Sequence, residues 1–487
     1  MTTTISAVQG TSPRSSRSSR SSRRWLALSI LALAQFLVVL DASIVNIALP
    51  VLGQQLGMDT VALAWVITAY VLAFGGLLLL GGRLADRYGH RRVFLVGTAG
   101  FVAASAFAGL SFSAEMLLAA RALQGASAAL LAPAALALLT HLFPEVKERT
   151  KALGVWGGVA GIGSAAGVLL GGVLTATLGW QSVFFVNVPV GVVVLVAIPL
   201  LISRDTARVQ GRLDLTGAVT VTAALISLVG GFSAVEQLGF LHPLPLVLFV
   251  TALLLGAAFI TIESRAAEPL VPLSVFRNRD LALGNVVMLL AGAAMVALFF
   301  ALSVYMQAVL GYDALTAGLS QLQLAGALVV VAGVVPALIA RLGTRRVLFG
   351  SLLMLAGGLV WLAAAPSDAV FLTQLLGPTL LIGVGLGGAF VATTQLAVAG
   401  VEGGEAGLAG GLINTSQQIG GAVGLAVLGT IAGLRTAELE NAGATAAHAL
   451  TGGFSWLFLG AAALAVVGAG VVAVWRKGAS GAGGGRA

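Results

Sequence analysis

Apolar residues in this chain come in long unbroken runs. Such runs occupy 26–49, 62–82, 93–111, 115–140, 152–176, 183–203, 213–233, 244–262, 282–306, 317–340, 347–365, 371–399, 406–432 and 453–475. Each is near the ~20 residues that, at about 1.5 Å rise per residue, carry a helix across a hydrocarbon core about 30 Å thick. The pattern predicts an all-α membrane protein with 14 transmembrane helices.

Composition agrees. The chain is 58% hydrophobic and 9% charged, against about 25% charged for a soluble domain. Its 65 glycines suit lipid, where small residues let helix backbones approach closely. The absence of cysteine excludes disulfides, thiolate metal sites and a cysteine nucleophile. His90, His141, His242 and His448 fall in or beside four different predicted loops, so no metal cluster is read from them.

The formal charge of +8 raises nucleic acid as a partner, but the basic residues are distributed by topology. With the N-terminus placed inside, only Arg435 of the 26 Lys+Arg lies in an outside loop and only Arg121 within a span. This strong positive-inside asymmetry puts both termini in the cytoplasm and argues against nucleic acid. The expected location is the cell's inner (plasma) membrane, as a multi-pass protein, with the lipid bilayer as its solvent and a monomer as its state. The tract Ser12 to Arg24 has no apolar residues with which to build a core, and the Arg/Ser-rich segment 1–24 is expected to be a disordered cytoplasmic tail. Arg23-Arg24 with the apolar run that follows could pass for a twin-arginine signal, but that run continues past Ala34 and is needed as the first span.

An internal repeat divides the chain. Arg87-Tyr88-Gly89-His90-Arg91-Arg92 follows the second run and Arg341-Leu342-Gly343-Thr344-Arg345-Arg346 the tenth. The offset fits two six-helix halves, 25–203 and 266–475, separated by a linker with two inserted helices at 204–265; a Gly-rich tail covers 476–487. Such duplication marks secondary transporters, in which pseudo-twofold halves rock about a site near the bilayer midplane. None of the three lysines follows a glycine, so a Walker A loop is absent and primary pumping is disfavoured. No cofactor is expected, and energy is expected from a gradient or a partner.

Asp41 is the one carboxylate read inside a span, and Arg121 the one cation. Each costs about 2.5 kcal/mol or more at mid-membrane unless paired or hydrated. Counting residues from the outer ends of their helices puts both at a similar depth. A proton exchanging on Asp41 under the influence of Arg121 would couple protons to shape; a static ion pair clamping two helices is the alternative. Gly163, Gly167 and Gly171 form one smooth face of the fifth helix, suited to packing against the other half. Asn46, Gln124, Gln307, Gln321, Gln323, Gln395, Asn414, Gln417 and Gln418 are candidates for a substrate cavity or for interhelical hydrogen bonds. With Asp41 alone among carboxylates, the expected cargo is a neutral, weakly charged or anionic amphipath rather than a multivalent cation.

Four segments resemble the motifs of one family: Leu40 to Pro50 in the first helix, Gly82 to Arg92 after the second, Arg121 to Gly125 in the fourth, and Trp180 to Gly191 at the sixth. The family is that of the fourteen-span drug:proton antiporters of the major facilitator superfamily. The resemblance implies the major facilitator fold and the export of amphipathic drugs or antibiotic-like metabolites in exchange for protons. It also implies a cytoplasmic gate made of Gly82, Asp86, Arg87, Gly89, Arg91 and Arg92, with Asp86 held against the start of the thirteenth helix near Ala406. One departure stands out. The family's antiporter motif carries Gly-Pro in the fifth helix, where this chain has Gly167-Val168. Proton-coupled uptake of a nutrient, or a non-transporting receptor on the same fold, therefore stays open beside export. No grouping of His, Asp or Ser suggests an enzyme.

Overall fold

The structure, a computed structural model, describes residues 14–203, 214–266, 269–271, 273–399 and 406–475. The elements are α1 (Arg14–Leu56), α2 (Thr60–Tyr88), α3 (His90–Gly109), α4 (Ala114–Leu142), α5 (Val146–Leu178), α6 (Ser182–Phe185), α7 (Asn187–Leu201), α8 (Leu215–Leu238) and α9 (Pro243–Arg265). They continue as α10 (Arg279–Val304), α11 (Ala314–Leu342), α12 (Thr344–Ala363), α13 (Leu376–Ala399), α14 (Ala406–Asn441) and α15 (Ala446–Val474). Among the described residues 13 helical segments are long and apolar enough to cross a membrane, α6 and α7 counting as one, and α5 adds the apolar stretch Ile162–Leu178. The sum is the expected fourteen.

Sequence signals at the helix ends explain most boundaries. Asp59 accepts from Ala62 N at 2.8 Å, Asp214 from Gly217 N at 2.7 Å and Asp313 from Thr316 N at 2.7 Å, each satisfying an orphan donor of the first turn. Between α2 and α3, and again between α11 and α12, the glycine of the repeat makes the corner: Gly89 has φ +97° and Gly343 φ +84°, and each N–H returns to the carbonyl four residues earlier. The repeated sequence is thus one repeated turn.

The halves repeat in packing too. In the first, α1 packs on α5 and α7, α2 and α3 on α4, and α3 on α7; in the second, α10 packs on α14 and α15, α11 and α12 on α13, and α12 on α15. The inserted α8 and α9 pack on each other; α8 also touches α2 and α14, one helix from each half. In α9 only Pro245 and Glu263 are buried among the described residues, as befits a helix facing lipid.

Helix α1 departs from expectation at its start. It begins at Arg14, so the tail expected to be disordered over 1–24 is helical from that residue. The physical reason is that extending an existing helix needs no new nucleus, and Ser and Arg tolerate the helix well enough to extend it. The rest of that tail, the start of the linker at 204–213 and the C-terminal tail lie outside the described residues.

The halves meet unevenly. At the end away from the basic loops, a methyl on Gly318 of α11 would stand 2.7 Å from the Val168 carbonyl of α5, and one on Gly172 would stand 2.8 Å from the Ala314 carbonyl. Toward the basic end nothing among the described residues lies within 4 Å of such a methyl at Gly154 or Gly158 of α5, or at Gly326 or Gly333 of α11. The seam between α5 and α11 is shut at one end and parted at the other.

Candidate functional site

Asp41 sits in mid-α1 and Arg121 two turns into α4, and the fold brings them together. Arg121 Nη1 lies 2.6 Å from Asp41 Oδ2, with the two side chains 1% and 0% exposed. Gln124 Nε2 donates to Asp41 Oδ1 at 3.0 Å and to Ser105 Oγ of α3 at 2.8 Å. Asn187 Nδ2, at the start of α7, donates to the same Oδ1 at 2.8 Å. The carboxylate therefore accepts from three side chains on two helices. Arg121 also donates from Nε to the Val66 carbonyl at 3.0 Å and from Nη1 to Gln124 Oε1 at 2.9 Å. Its guanidinium carbon lies 4.3 Å from the centre of the Tyr70 ring, where the ring face attracts a cation.

This network has two chemical consequences. A charge pair shut from water is stable only when its remaining hydrogen-bonding capacity is met, and here Gln124, Asn187 and Val66 meet it. Loss of the negative partner would leave Arg121 charged in a dry site, a costly arrangement. Asp41 is wholly buried.

The shared depth of Asp41 and Arg121 follows from counting residues, but Asn187, Ser105 and Tyr70 went unread as site residues. Asn187 lies inside the Trp180 to Gly191 motif, which was the available signal. Asp41 is also not the one carboxylate inside the spanning helices. Helix α8 continues past the expected end at 233 to Leu238 and so includes Glu236, and α9 runs to Arg265 and includes the buried Glu263. Glu263 Oε2 accepts from Val271 N at 3.1 Å.

The glycine face of α5 has a different partner from the one expected. Methyls on Gly163, Gly167 and Gly171 would meet Val39, Ser43 and the Ile44 carbonyl, all on α1. The face turned to the other half carries Val168 and Gly172, because successive residues on a helix point about 100° apart. Val168 is buried with Ile47 and Ala314, so the residue standing at the family's proline position is an inter-half contact.

In the basic loop Asp86 lies 3.1 Å from His90 Nε2, and Arg83 donates to the Pro269 carbonyl at 2.8 Å. Gly82 and Gly89 lie at the end of α2 and its corner, with Arg87, Arg91 and Arg92 around them. Arg91 reaches the Pro199 carbonyl at 3.4 Å. The expected contact of Asp86 with the thirteenth span falls on the side chains before residue 409, outside those described.

The candidate cavity residues do not form one cluster. Gln124 belongs to the Asp41 network. Gln307 Nε2, just past α10, donates to the Ile47 carbonyl at 3.0 Å, and Ser303 of α10 donates to the Asn46 carbonyl, while the Asn46 side chain donates to the Ala42 carbonyl within α1 at 2.9 Å. Gln321 is buried beside Met306 Sδ at 3.9 Å, and Gln323 donates to Thr379 at 3.1 Å. Asn414, Gln417 and Gln418 lie along α14, with Gln418 opposite Gly75 of α2. Gln124, Gln307, Gln321 and Gln323 thus bond across helical elements.

Comparison with known proteins agrees with this architecture. Residues 31–425 match the Major Facilitator Superfamily. The chain is 41% identical over 452 residues to the puromycin resistance protein pur8 of Streptomyces alboniger, covering 92% of this chain and 88% of that one. It is 44% identical over 414 residues to the cephamycin export protein CmcT of Amycolatopsis lactamdurans, covering 84% and 85%. Among solved structures, an auto-inhibited POT family peptide transporter superposes with a TM-score of 0.67 at 16% identity, covering 93% of this chain and 97% of that one; this likeness concerns the fold.

Proposed function

Since the chain belongs to the Major Facilitator Superfamily, a family of membrane transporters and not of enzymes, we propose that it exports amphipathic small molecules, drugs or antibiotic-like metabolites, in exchange for protons by alternating access. The export and resistance roles named for its relatives support the direction. The coupling rests on one observation, the buried Asp41–Arg121 pair with its three-donor carboxylate.

In this reading the basic end faces the cytoplasm, at the inner membrane of the cell, and the parted α5–α11 seam is the route by which cargo enters. Asp41 binds a proton when helix movement opens it to the outside. It releases that proton when Arg121 returns to it. Because α1 carries Asp41 on one stretch and, about one and a half turns later, the Asn46 and Ile47 carbonyls that hold the end of α10 and the residues just after it, the charge state of the first half reaches the second through a single helix.

The deciding experiment is a resistance panel in cells overexpressing the wild type or Asp41→Asn, each with and without a protonophore. Wild-type resistance abolished by protonophore, and absent in Asp41→Asn, is the expected result. Full proton-driven flux in Asp41→Asn would overturn the coupling role, and a rise of intracellular compound on overexpression would overturn export.

A further inference from the structure

At the end of the bundle away from the basic loops, α2, α8, α10, α14 and α15 enclose a cavity of about 350 Å³, within the range of small-molecule sites. It is distinct from the Asp41 network, which is buried among α1, α3, α4 and α7. Its apolar walls include Trp65, Phe300, Leu425 and Phe454, and its charged lining residues are Glu236 and Glu440, with no Lys, Arg or His.

Glu236 is placed by both neighbours. Opposite it on α14 stands Gly433, where a methyl would collide with Glu236 Oε1, so the missing side chain makes room for the carboxylate. One turn earlier on α8, Ser233 accepts from Trp65 Nε1 at 3.0 Å, which fixes the indole at the cavity wall. Thr68 lines the same space and is 3% exposed. The arginine of α14, Arg435, is held by Glu438 at 2.7 Å and does not line the cavity.

Glu236 stands in the last turn of a spanning helix, in a largely apolar cavity with no basic lining residue, and an organic cation with an apolar body complements that charge. Such a guest finds a counter-ion in Glu236 and aromatic surface in Trp65 and Phe454. We propose that this cavity binds a monovalent organic cation of amphipathic type, with Glu236 as its counter-ion. The proposal corrects the expectation from sequence that no carboxylate besides Asp41 awaits a cation in the spans. It concerns equilibrium binding and stands apart from proton coupling and from the direction of transport.

Binding of tetraphenylphosphonium to the purified full-length protein in lipid nanodiscs tests it, with no gradient applied. Saturable binding to the wild type is expected, weakened about tenfold or more by Glu236→Gln, weakened in the same direction by Gly433→Ala, and unchanged within about twofold by Gly326→Ala. No saturable binding to the wild type, equal binding by Glu236→Gln, or an equal loss in Gly326→Ala would overturn the proposal. Since the chain has no cysteine, Ser233→Cys places a lone thiol in the cavity without touching Glu236. Tetraphenylphosphonium is expected to slow its labelling by a maleimide, and neutral triphenylphosphine oxide is not. Equal protection by both, or by neither, overturns the proposal even if Glu236→Gln does not fold.

Discussion

Gly167 of α5 faces Ser43 of α1 with no space for a side chain between them: a methyl on Gly167 would stand 2.6 Å from Ser43 Cβ and 3.0 Å from the Leu40 carbonyl. Leu40 and Ser43 flank Asp41, so this contact sets the seat of the buried carboxylate. The glycine stripe of α5 bears on the Asp41 network from within its own half.

Gly167→Ala should therefore push α1 away from α5, displace Asp41 from Asn187 and Gln124, and cost about 1–3 kcal/mol of stability. Transport should fall by tenfold or more. Gly158→Ala, on the same helix with nothing within 4 Å, should leave both close to wild type. Thermal melting and proteoliposome flux on the two variants check this.

Asp41→Asn leaves Arg121 charged and buried with no counter-ion, a loss on the order of 3–5 kcal/mol for a buried pair. The double variant Asp41→Asn with Arg121→Gln removes both charges and should recover most of that stability. It should recover none of the proton-driven flux. A double variant that transports at the wild-type rate would make the pair a clamp and nothing more.

Arg121→Lys keeps the charge but cannot serve Asp41, Gln124, the Val66 carbonyl and the Tyr70 face together, as the planar guanidinium does. Flux should drop by about tenfold or more, with a smaller loss of melting temperature than in Asp41→Asn. Paired melting and flux measurements separate the two effects.

Gly318→Ala and Gly172→Ala insert bulk into the shut end of the α5–α11 seam, where the added methyls meet backbone carbonyls at 2.7 and 2.8 Å. Both should disfavour the closed arrangement of that end. Single-cysteine accessibility to an impermeant maleimide, read on the side away from the basic loops, should rise in each variant, while Gly326→Ala, which meets open space, should not change it.

How far the sequence reaches can be judged from particular residues. The spans, the repeat and the Asp41–Arg121 pair were legible because length, charge asymmetry and depth along a helix are one-dimensional quantities. The direction of the glycine stripe was not, since periodicity shows that Gly163, Gly167 and Gly171 share a face but not which helix that face meets. Asn187 was hidden for a similar reason: a lone polar residue in an apolar helix can serve any neighbour. Glu236 was missed by one turn. The apolar run ends near 233, but α8 continues until Gly239 stops it, and that glycine was readable as a helix end.

The Asp41 network draws its side chains from α1, α3, α4 and α7, every one in the first half. A chimera that joins this first half to another relative's second half therefore inherits the whole network intact, and its response to a protonophore should follow the first half alone.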